Sequence, residues 1–400
     1  MVRRSPQFVN GSFAWCVPAP LATDQSSGAV VSWDTDHRDV RARVLGPDRQ
    51  KDLGWMRTRR LERTRSRRCR AGRLFMDVRE RAANHEMYAP PTGSFYVLDG
   101  ANLVYRCYHA LARTMGERLD ASGDDTQAVF GVVMQLTKLL REQVGHSPLA
   151  LVLESTGSSS RTAMHPEYKG TRKETPQGVV SSFPYVEALF VACGFPVYKV
   201  DGFEGDDIIA ELAVQAARAG QKAVIISGDK DFNQLLRQDS IEILKLTNKG
   251  CVPYEEADFR REYGDLRPSQ FVDLLALMGD TADNIPGVSG IGPKTAQKLV
   301  LEYDSVEGIF DNIDNVRPLR TQNLLLAAGR ERVILSKALV AFISDGLSND
   351  AASRFKWGDA QLRRAPDIVA VDDIFSRLRI GRKKLDALCT LLRAAGTNTH

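Results

Sequence analysis

The passage GFEGDDIIAELAVQAARAGQKAVIISGDKD, Gly202 to Asp231, sets Glu204, Asp206, Asp207, Asp229 and Asp231 around one strand–helix–strand unit. Ile208, Ile209, Leu212 and Ala216 keep helical spacing and Gly220 supplies a stop, so Asp206 and Asp207 fall in the first turn of a helix. Ala223 to Ser227 is a short apolar run between turn signals, the pattern of a buried parallel strand. Gly228 then turns the chain so that Asp229 and Asp231 leave the strand's carboxyl end, and both acid clusters can face one crevice. A single carboxylate suffices to cap a helix, at about 0.5–2 kcal/mol. Crowding several costs energy at every pair unless a cation joins them. Oxygen donors with no His or Cys nearby suit Mg²⁺ or Mn²⁺ rather than zinc.

The same arrangement recurs along the chain. Phe95–Asp99 (FYVLD) is an apolar run ending in an acid, Leu149–Leu153 runs into Glu154, and Phe195–Val200 leads to Glu204. With the strand that releases Asp229, four strands each deliver an acid at the carboxyl end, where doubly wound α/β sheets place their sites. After Asp99 the string GANLVYRCYHAL reads as a helix; Tyr105, Tyr108 and Leu111 suit a core or cleft wall, while Arg106 and His109 can reach a phosphate. Gln127 to Val144 is an amphipathic helix that Pro148 brings to an end.

Residues 155–183 form a polar, Gly- and Ser-rich stretch that carries Arg161, Tyr168, Lys169, Arg172 and Lys173. It is too long for an ordinary connection, and basic residues with a tyrosine among them suit a mobile cover over a phosphodiester chain. A plain solvated loop is the competing reading. Downstream the pattern turns helical. Pro268 opens SQFVDLLALMG, Asp280 and Asp283 follow in GDTADNIPG, and Gly287, Gly290 and Gly292 lead into PKTAQKLVLEY. Glycines at a tight turn before a helix let backbone amides approach a phosphate, with Lys294, Thr295 and Lys298 beside them.

Composition restricts the compartment more than the chemistry. Six widely scattered cysteines with no CxxC pair argue against a zinc site or a disulfide scaffold and for reducing surroundings. No stretch approaches the ~18 apolar residues of a membrane span. Up to Thr92 there are 18 Lys and Arg against 10 Asp and Glu, so the net charge of +4 belongs to this leader and the remainder is slightly acidic. Nucleic-acid binding must therefore rest on local basic patches. The leader has few periodic apolar runs and an arginine-dense segment from Arg57 to Arg73, and is expected to be a disordered basic extension. It reads as an organellar (plastid or mitochondrial) transit peptide, although Asp34, Asp36 and Asp39 fit that poorly. A nuclear-localisation patch, a nucleic-acid-binding arm or an upstream-extended gene model are the alternatives, the first two implying nucleus or cytoplasm.

The strings FYVLDGANLVYRCYHAL, EYKGTRKETP, GFEGDDIIAELA, SGDKDFNQL and LMGDTADNIPGVSGIGPKTAQKL closely resemble, in order and spacing, the 5′-nuclease family. That family includes the 5′–3′ exonuclease domain of bacterial DNA polymerase I, phage exonucleases and, more distantly, flap endonucleases. The match spans about Phe95 to Asp345, with a weaker echo to about Arg379. The resemblance implies an α/β fold: a PIN-like, mostly parallel sheet flanked by helices (93–262), then a helix-hairpin-helix (H3TH) subdomain (263–345) and a helical extension (346–400). No polymerase module follows, so the chain looks like a free-standing exonuclease of the kind found in bacteria and plant organelles.

Carried over residue by residue, the resemblance implies that Asp99, Glu154, Glu204 and Asp206 surround one metal, with Asp207 close by. Asp229, Asp231, Asp280 and Asp283 would surround a second. Lys169 and Arg172 match a basic pair on a helical arch that steadies the scissile phosphate. Gly287 to Lys298 matches the element that holds duplex DNA, often with a K⁺ ion. The implied activity is hydrolysis near 5′ ends, flaps or nicks of DNA by two Mg²⁺ or Mn²⁺ ions, in a monomer acting in replication or repair, with RNA primers an open question. One departure stands out: the family's usual second-strand aspartate is here Glu154. A weakly active branched-DNA binder and a PIN-type ribonuclease are the rival readings.

Overall fold

The structure is a computed structural model that describes residues 31–32, 43–44, 87–88, 93–112, 123, 125–155, 159–237, 240–247, 250–343 and 356–394. The chain divides into two units, Met1–Ser66 and Arg67–His400. In the first, Val31–Ser32 pairs antiparallel with Arg43–Val44; the leader's expected disorder otherwise lies outside the described residues, as does most of the polar stretch after Ser344.

A six-stranded sheet organises the second unit. Its strands are β1 (Phe95–Asp99), β2 (Leu149–Val152), β3 (Val197–Tyr198), β4 (Ala223–Ile226), β5 (Ile241–Thr247) and β6 (Gly250–Tyr254). Their spatial order is β3-β2-β1-β4-β5-β6, parallel throughout except for β6, which returns antiparallel to β5. Connections leave β1 in both directions, so β1 and β4 flank the switch point where doubly wound sheets open a crevice at their carboxyl ends.

Burial on both faces explains why the inner strands read as continuous apolar runs. Phe95, Val97, Ala150, Val152, Ala223, Ile225, Ile241 and Ile243 face one core, and Leu98, Leu149, Leu151, Val224, Ile226 and Leu244 the other, as a side-chain period of two requires. Each fully buried Leu, Ile or Phe contributes about 1.5–3 kcal/mol. On the first face lies α5 (Gly205–Arg218). On the second lie α1 (Gly100–Ala112), α2 (Gln127–Leu139) and α4 (Gln177–Ala192), with the C-terminal helices Ile368–Arg377 and Arg382–Ala394 packed behind them. A short ladder of Arg363–Arg364 with Met87–Tyr88 lies outside this sheet.

Several expectations change in detail. The third strand is two residues rather than six: Phe195 is still bonded back to the Phe190 carbonyl of α4, and Pro196, with no N–H, gives the sheet only its carbonyl, to the Leu151 amide at 3.0 Å. The hairpin of β5 and β6 was not foreseen: Lys245 and Pro253 break the apolar pattern, and both sit where one face is open. The 155–183 stretch is no continuous loop, since it holds α3 (Ser160–Met164), hydrogen-bonded turns from His165 to Arg172, and the start of α4.

The helical region follows α6 (Glu256–Tyr263) with α7 (Phe271–Met278), α8 (Pro293–Tyr303), α9 (Val306–Asp311), α10 (Leu319–Ala328) and α11 (Arg330–Val340). Pro268 is at the first position of a 3₁₀ turn that feeds α7, and Gly292 is the N-cap of α8. Gly287 has φ of 55°, and a Cβ there would lie 2.4 Å from the Gly279 nitrogen and 2.6 Å from the Met278 carbonyl carbon. Two backbone segments cross here with no room for a side chain. Gly290 also has positive φ, 86°, but faces only the flexible end of Leu324 at 3.2 Å. Gly287→Ala is therefore expected to cost more than ~2 kcal/mol and Gly290→Ala about 1 kcal/mol. Urea midpoints of the two variants check this; equal shifts would contradict the backbone crossing.

Candidate metal centre

Each sheet acid is delivered by the local rule that makes its element. Asp99 is the last residue of β1 and 6% exposed. Its two oxygens accept from the Asn102 amide at 2.9 Å and the Ser227 hydroxyl at 2.6 Å. Asn102 Oδ1 in turn accepts from the Gly228 amide at 3.0 Å, and Ser227 Oγ accepts from the Asp229 amide at 3.1 Å. The carboxyl ends of β1 and β4 are thus tied together across the switch point. Neither Asn102 nor Ser227 was singled out from sequence, though a serine closing an otherwise apolar buried strand was a usable signal.

Glu204 is the N-cap of α5, and Asp206 lies in that helix's first turn. Burial, then the charges of Asp99, Asp229 and Glu154, push the Asp206 carboxyl well above its ordinary range. Burial likewise raises Asp99, to about 6, against the Ser227 and Asn102 hydrogen bonds. Burial and Asp229 raise Asp231 to about 7, with Asp280 and Asp283 adding to the effect. Asp231 Oδ1 is buried without a hydrogen-bond partner. These acids occupy one neighbourhood, and the nearby Lys169 and Lys230 offset only part of their crowding. Among the described residues no three of them yet converge in a ligating geometry, as expected of anions that repel and lean on nearby donors. Hard all-oxygen donors, mutual repulsion and an orphaned carboxylate oxygen fit a divalent cation of the Mg²⁺ type.

Glu154 is two residues beyond β2, and its Oε2 accepts from the Gly205 amide at 2.9 Å. The extra methylene therefore takes the carboxylate to the amino end of α5, where partial positive charge favours it. A Cβ on Gly205 would stand 2.7 Å from that oxygen, so the longer acid needs a glycine opposite.

The expected roles of three residues are corrected. Asp207 is 1% exposed and takes both terminal nitrogens of Arg161, at 2.6 and 2.8 Å, which leaves it a structural ion pair rather than a metal ligand. Arg161, expected on DNA, is 3% exposed, and its remaining donors go to the Leu339 and Ala341 carbonyls at 2.8 Å each. Tyr168 is corrected likewise: it is 7% exposed and donates its hydroxyl to Glu204 at 3.2 Å, so it orients a carboxylate and is no stacking platform.

Glu204 also receives Lys169 Nζ at 2.8 Å and Arg161 Nη1 at 3.3 Å. Burial would raise its pKa, but the two cations prevail and hold it below the usual carboxylate range. Arg172 Nε reaches Asp283 at 2.8 Å, and Lys230 approaches Asp280 at 3.4 Å. The acids of the 280–285 loop thus stand beside Asp231 but carry their own cations. Arg106 has a terminal nitrogen beside Gly228, next to Asn102. Gly290, Gly292, Lys294 and Lys298 are exposed at the hairpin and Thr295 is partly so, free to meet a ligand; Gly287 is buried and shapes the turn.

A carboxylate-lined crevice at the switch point of a doubly wound sheet, beside a glycine hairpin that opens a helix, defines an α/β protein with a cation-seeking centre and an appended helical grip. Comparison with known families makes this specific. The model of the 5′–3′ exonuclease N-terminal resolvase-like domain matches residues 94–264, and that of the 5′–3′ exonuclease C-terminal SAM fold matches 266–363. The chain belongs to the 5′–3′ exonuclease family, the 5′-nucleases. It is 36% identical over 245 residues to DNA polymerase I of Streptococcus pneumoniae, covering 61% of this chain and 28% of that one. To the thermostable DNA polymerase I of Thermus thermophilus it is 34% identical over 291 residues, 73% of this chain and 32% of that one. The chain thus spans about a third or less of these relatives. A solved structure of T5 5′-exonuclease with bound zinc shares the fold, with a TM-score of 0.50 and 22% identity over 76% of this chain and all of that one.

Two outcomes are expected. Unfolded aspartates ionise near pH 4, whereas Asp99 and Asp231 are raised to about 6 and about 7. The folded chain therefore keeps protons that the unfolded chain has released, and this contribution to stability is complete below about pH 4 and lost as pH rises through 6 to 7. In protein stripped of divalent ions, Asp231→Asn should raise Tm at pH 8 by about 2–4 °C, on the order of 1 kcal/mol, and gain little near pH 4. A gain independent of pH would contradict charge crowding. Second, Gly205→Ala should destabilise the Glu154 protein by ~1 kcal/mol or more yet be neutral or stabilising beside Glu154→Asp. Equal effects in the two backgrounds, read by thermal melts, would show that the pair is not matched.

Proposed function

We propose that this chain is a divalent-metal-dependent, structure-specific 5′ nuclease that hydrolyses phosphodiesters near the 5′ ends of DNA flaps and nicks. The observation that carries the reading is the meeting of Asp99, Glu154 and Asp206 where β1 and β2 end and α5 begins, with burial raising all three and the charges of Asp229 and Glu154 acting on both Asp99 and Asp206. Family membership supplies the reaction class.

Asp99, Glu154, Asp206 and Glu204 would hold one Mg²⁺ or Mn²⁺ ion, and Asp229 and Asp231 a second, with Asp280 and Asp283 at its outer side. Bound there, such ions would acidify the attacking water and steady the leaving 3′ oxygen. The protein's own part is positional. Ser227 and Asn102 fix Asp99, the α5 amino terminus fixes Glu154, and Tyr168 and Lys169 fix Glu204. Lys169 and Arg172, at 22% and 54% side-chain exposure, sit at the rim where a phosphate gaining negative charge can draw them from their carboxylates. Exposed Lys294 and Lys298 at the start of α8 offer a sequence-independent grip on duplex backbone, with K⁺ at the hairpin part of the same proposal. Action as a monomer, a role in replication or repair and an organellar destination belong to the same proposal, and the RNA arm of the assay below decides whether RNA primers are attacked; the destination rests on the arginine-dense leader alone.

Release of labelled 5′ products from flap, nicked-duplex and RNA substrates, with Mg²⁺, with Mn²⁺ and with EDTA, tests the reading. Cleavage of DNA flaps that EDTA stops is the expected result, and Asp206→Asn should lose it while keeping duplex affinity. Lys169→Ala should lower the single-turnover rate by ~10²–10³, the loss typical of one oxyanion-type donor. Binding without turnover in the wild type would instead make the chain a branched-DNA binder, and preference for RNA a PIN-type ribonuclease.

A further inference from the structure

The turn that carries Lys169 and the loop that carries Asp283 belong to the two different halves of the family match, 94–264 and 266–363. Three contacts clasp them. The Lys169 amide donates to the Asp283 carbonyl at 3.0 Å, Arg172 Nε donates to the Asp283 carboxylate at 2.8 Å, and Asn284 Nδ2 donates to the Glu167 carbonyl at 2.9 Å. Two residues of the clasp, Lys169 with φ of 58° and Asn284 with φ of 56°, are in the left-handed region. Asn tolerates that region and Lys visits it rarely. Such strain, of order 1–3 kcal/mol, persists only where the surroundings fix it. Here the backward turn at Lys169 sends its amide out to the Asp283 carbonyl while its ammonium reaches Glu204 at 2.8 Å. The Asp280–Ile285 loop is closed on itself by paired backbone bonds of 3.0 and 2.7 Å, so it presents Asn284 from a fixed frame.

We propose that Asn284 is a positioning residue: its side-chain amide docks the Glu167–Arg172 turn onto the Asp280–Ile285 loop, so that Lys169 is delivered to the substrate phosphate from the same frame that holds Asp283 beside Asp231. The docking stands on geometry alone; delivery to a phosphate rests on the nuclease reading above. The competing explanation is that position 284 merely requires a left-handed backbone. Gly and Asp both satisfy that requirement and both lack the donor, so Asn284→Gly and Asn284→Asp separate the two.

The first measurement is limited trypsin digestion of the full-length protein without metal or DNA, following cuts after Lys169, Arg172 and Lys173 by peptide mass. At low protease such cuts follow the opening equilibrium. Loss of one hydrogen bond of ~0.5–1.5 kcal/mol should accelerate them by about 2–10-fold in both variants, with Tm nearly unchanged. The second is the single-turnover rate on a 5′ flap, expected to fall about 10-fold or more while duplex dissociation constants stay within about 2-fold. Wild-type digestion rates in both variants would overturn the clasp. Faster digestion with an unchanged single-turnover rate would overturn the delivery. If the wild type cleaves no substrate, the nuclease reading fails, and the digestion still decides the docking.

Discussion

Repulsion among carboxylates brought to one edge of a sheet is the constraint on which the rest of this structure depends. Parallel strands all end on the same side, so a chain that closes β1, β2 and β4 with acids must crowd them. Two unit charges about 4 Å apart at a partly buried site cost about 4 kcal/mol at an effective dielectric of 20. The fold meets part of that with donors at fixed places: the Asn102 amide, the Ser227 hydroxyl and the first amide of α5. What remains appears as carboxyl groups pushed to about 6 at Asp99 and about 7 at Asp231. A centre that still resists ionisation after its donors are satisfied is one that a divalent cation would complete.

The nearby cations divide by exposure, and exposure decides what each can do. Arg161 is buried against Asp207 with every donor direction used, and removing either partner of such a pair costs about 3–5 kcal/mol because the other is stranded. It cannot leave to meet a phosphate. Lys169 and Arg172 hold their carboxylates at the rim, where solvent weakens the pairing to about 0–1 kcal/mol for the more exposed Arg172. Exchange of Glu204 or Asp283 for a phosphate oxygen is therefore open to them. The same residue types, eight and eleven positions apart from Arg161 along the chain, thus serve as a fixed rivet and as movable charges.

Much of this was legible in the sequence, for identifiable reasons. Strands buried on both faces announce themselves as apolar runs, so β1, β2 and β4 and the acids beyond them could be placed, as could α5 from its spacing and Gly220. The glycine hairpin was equally plain, because Gly287 and Gly290 mark backbone that other residues rarely adopt. What stayed hidden depends on contacts distant in sequence. Arg161 and Tyr168 share a basic, polar stretch with Lys169 and Arg172, and nothing local says that two of the four are buried. Their partners are 36 to 180 residues away. Asp207 likewise looks identical to Asp206 until the helix phase turns one to the crevice and the other to Arg161.

The carboxyl end of α11 shows why grip and chemistry need not be separate modules. The Leu339 and Ala341 carbonyls hold Arg161, the Ile343 amide donates to Asp207 at 3.0 Å, and Gln234 bonds both the Val340 carbonyl and the Phe342 amide. Gln234 belongs to the turn that begins at Asp231, and Asp207 belongs to the helix turn that presents Asp206. One helix end of the hairpin region is therefore bonded to the supports of both acid groups. Phe342 adds a ring contact with Phe232 at 5.1 Å between centroids, just behind Asp231. Close-packed elements transmit displacement rather than absorb it. The end of α11 is thus joined to the turns that present Asp206 and Asp231 by side-chain-to-backbone bonds of 3.0 to 3.2 Å.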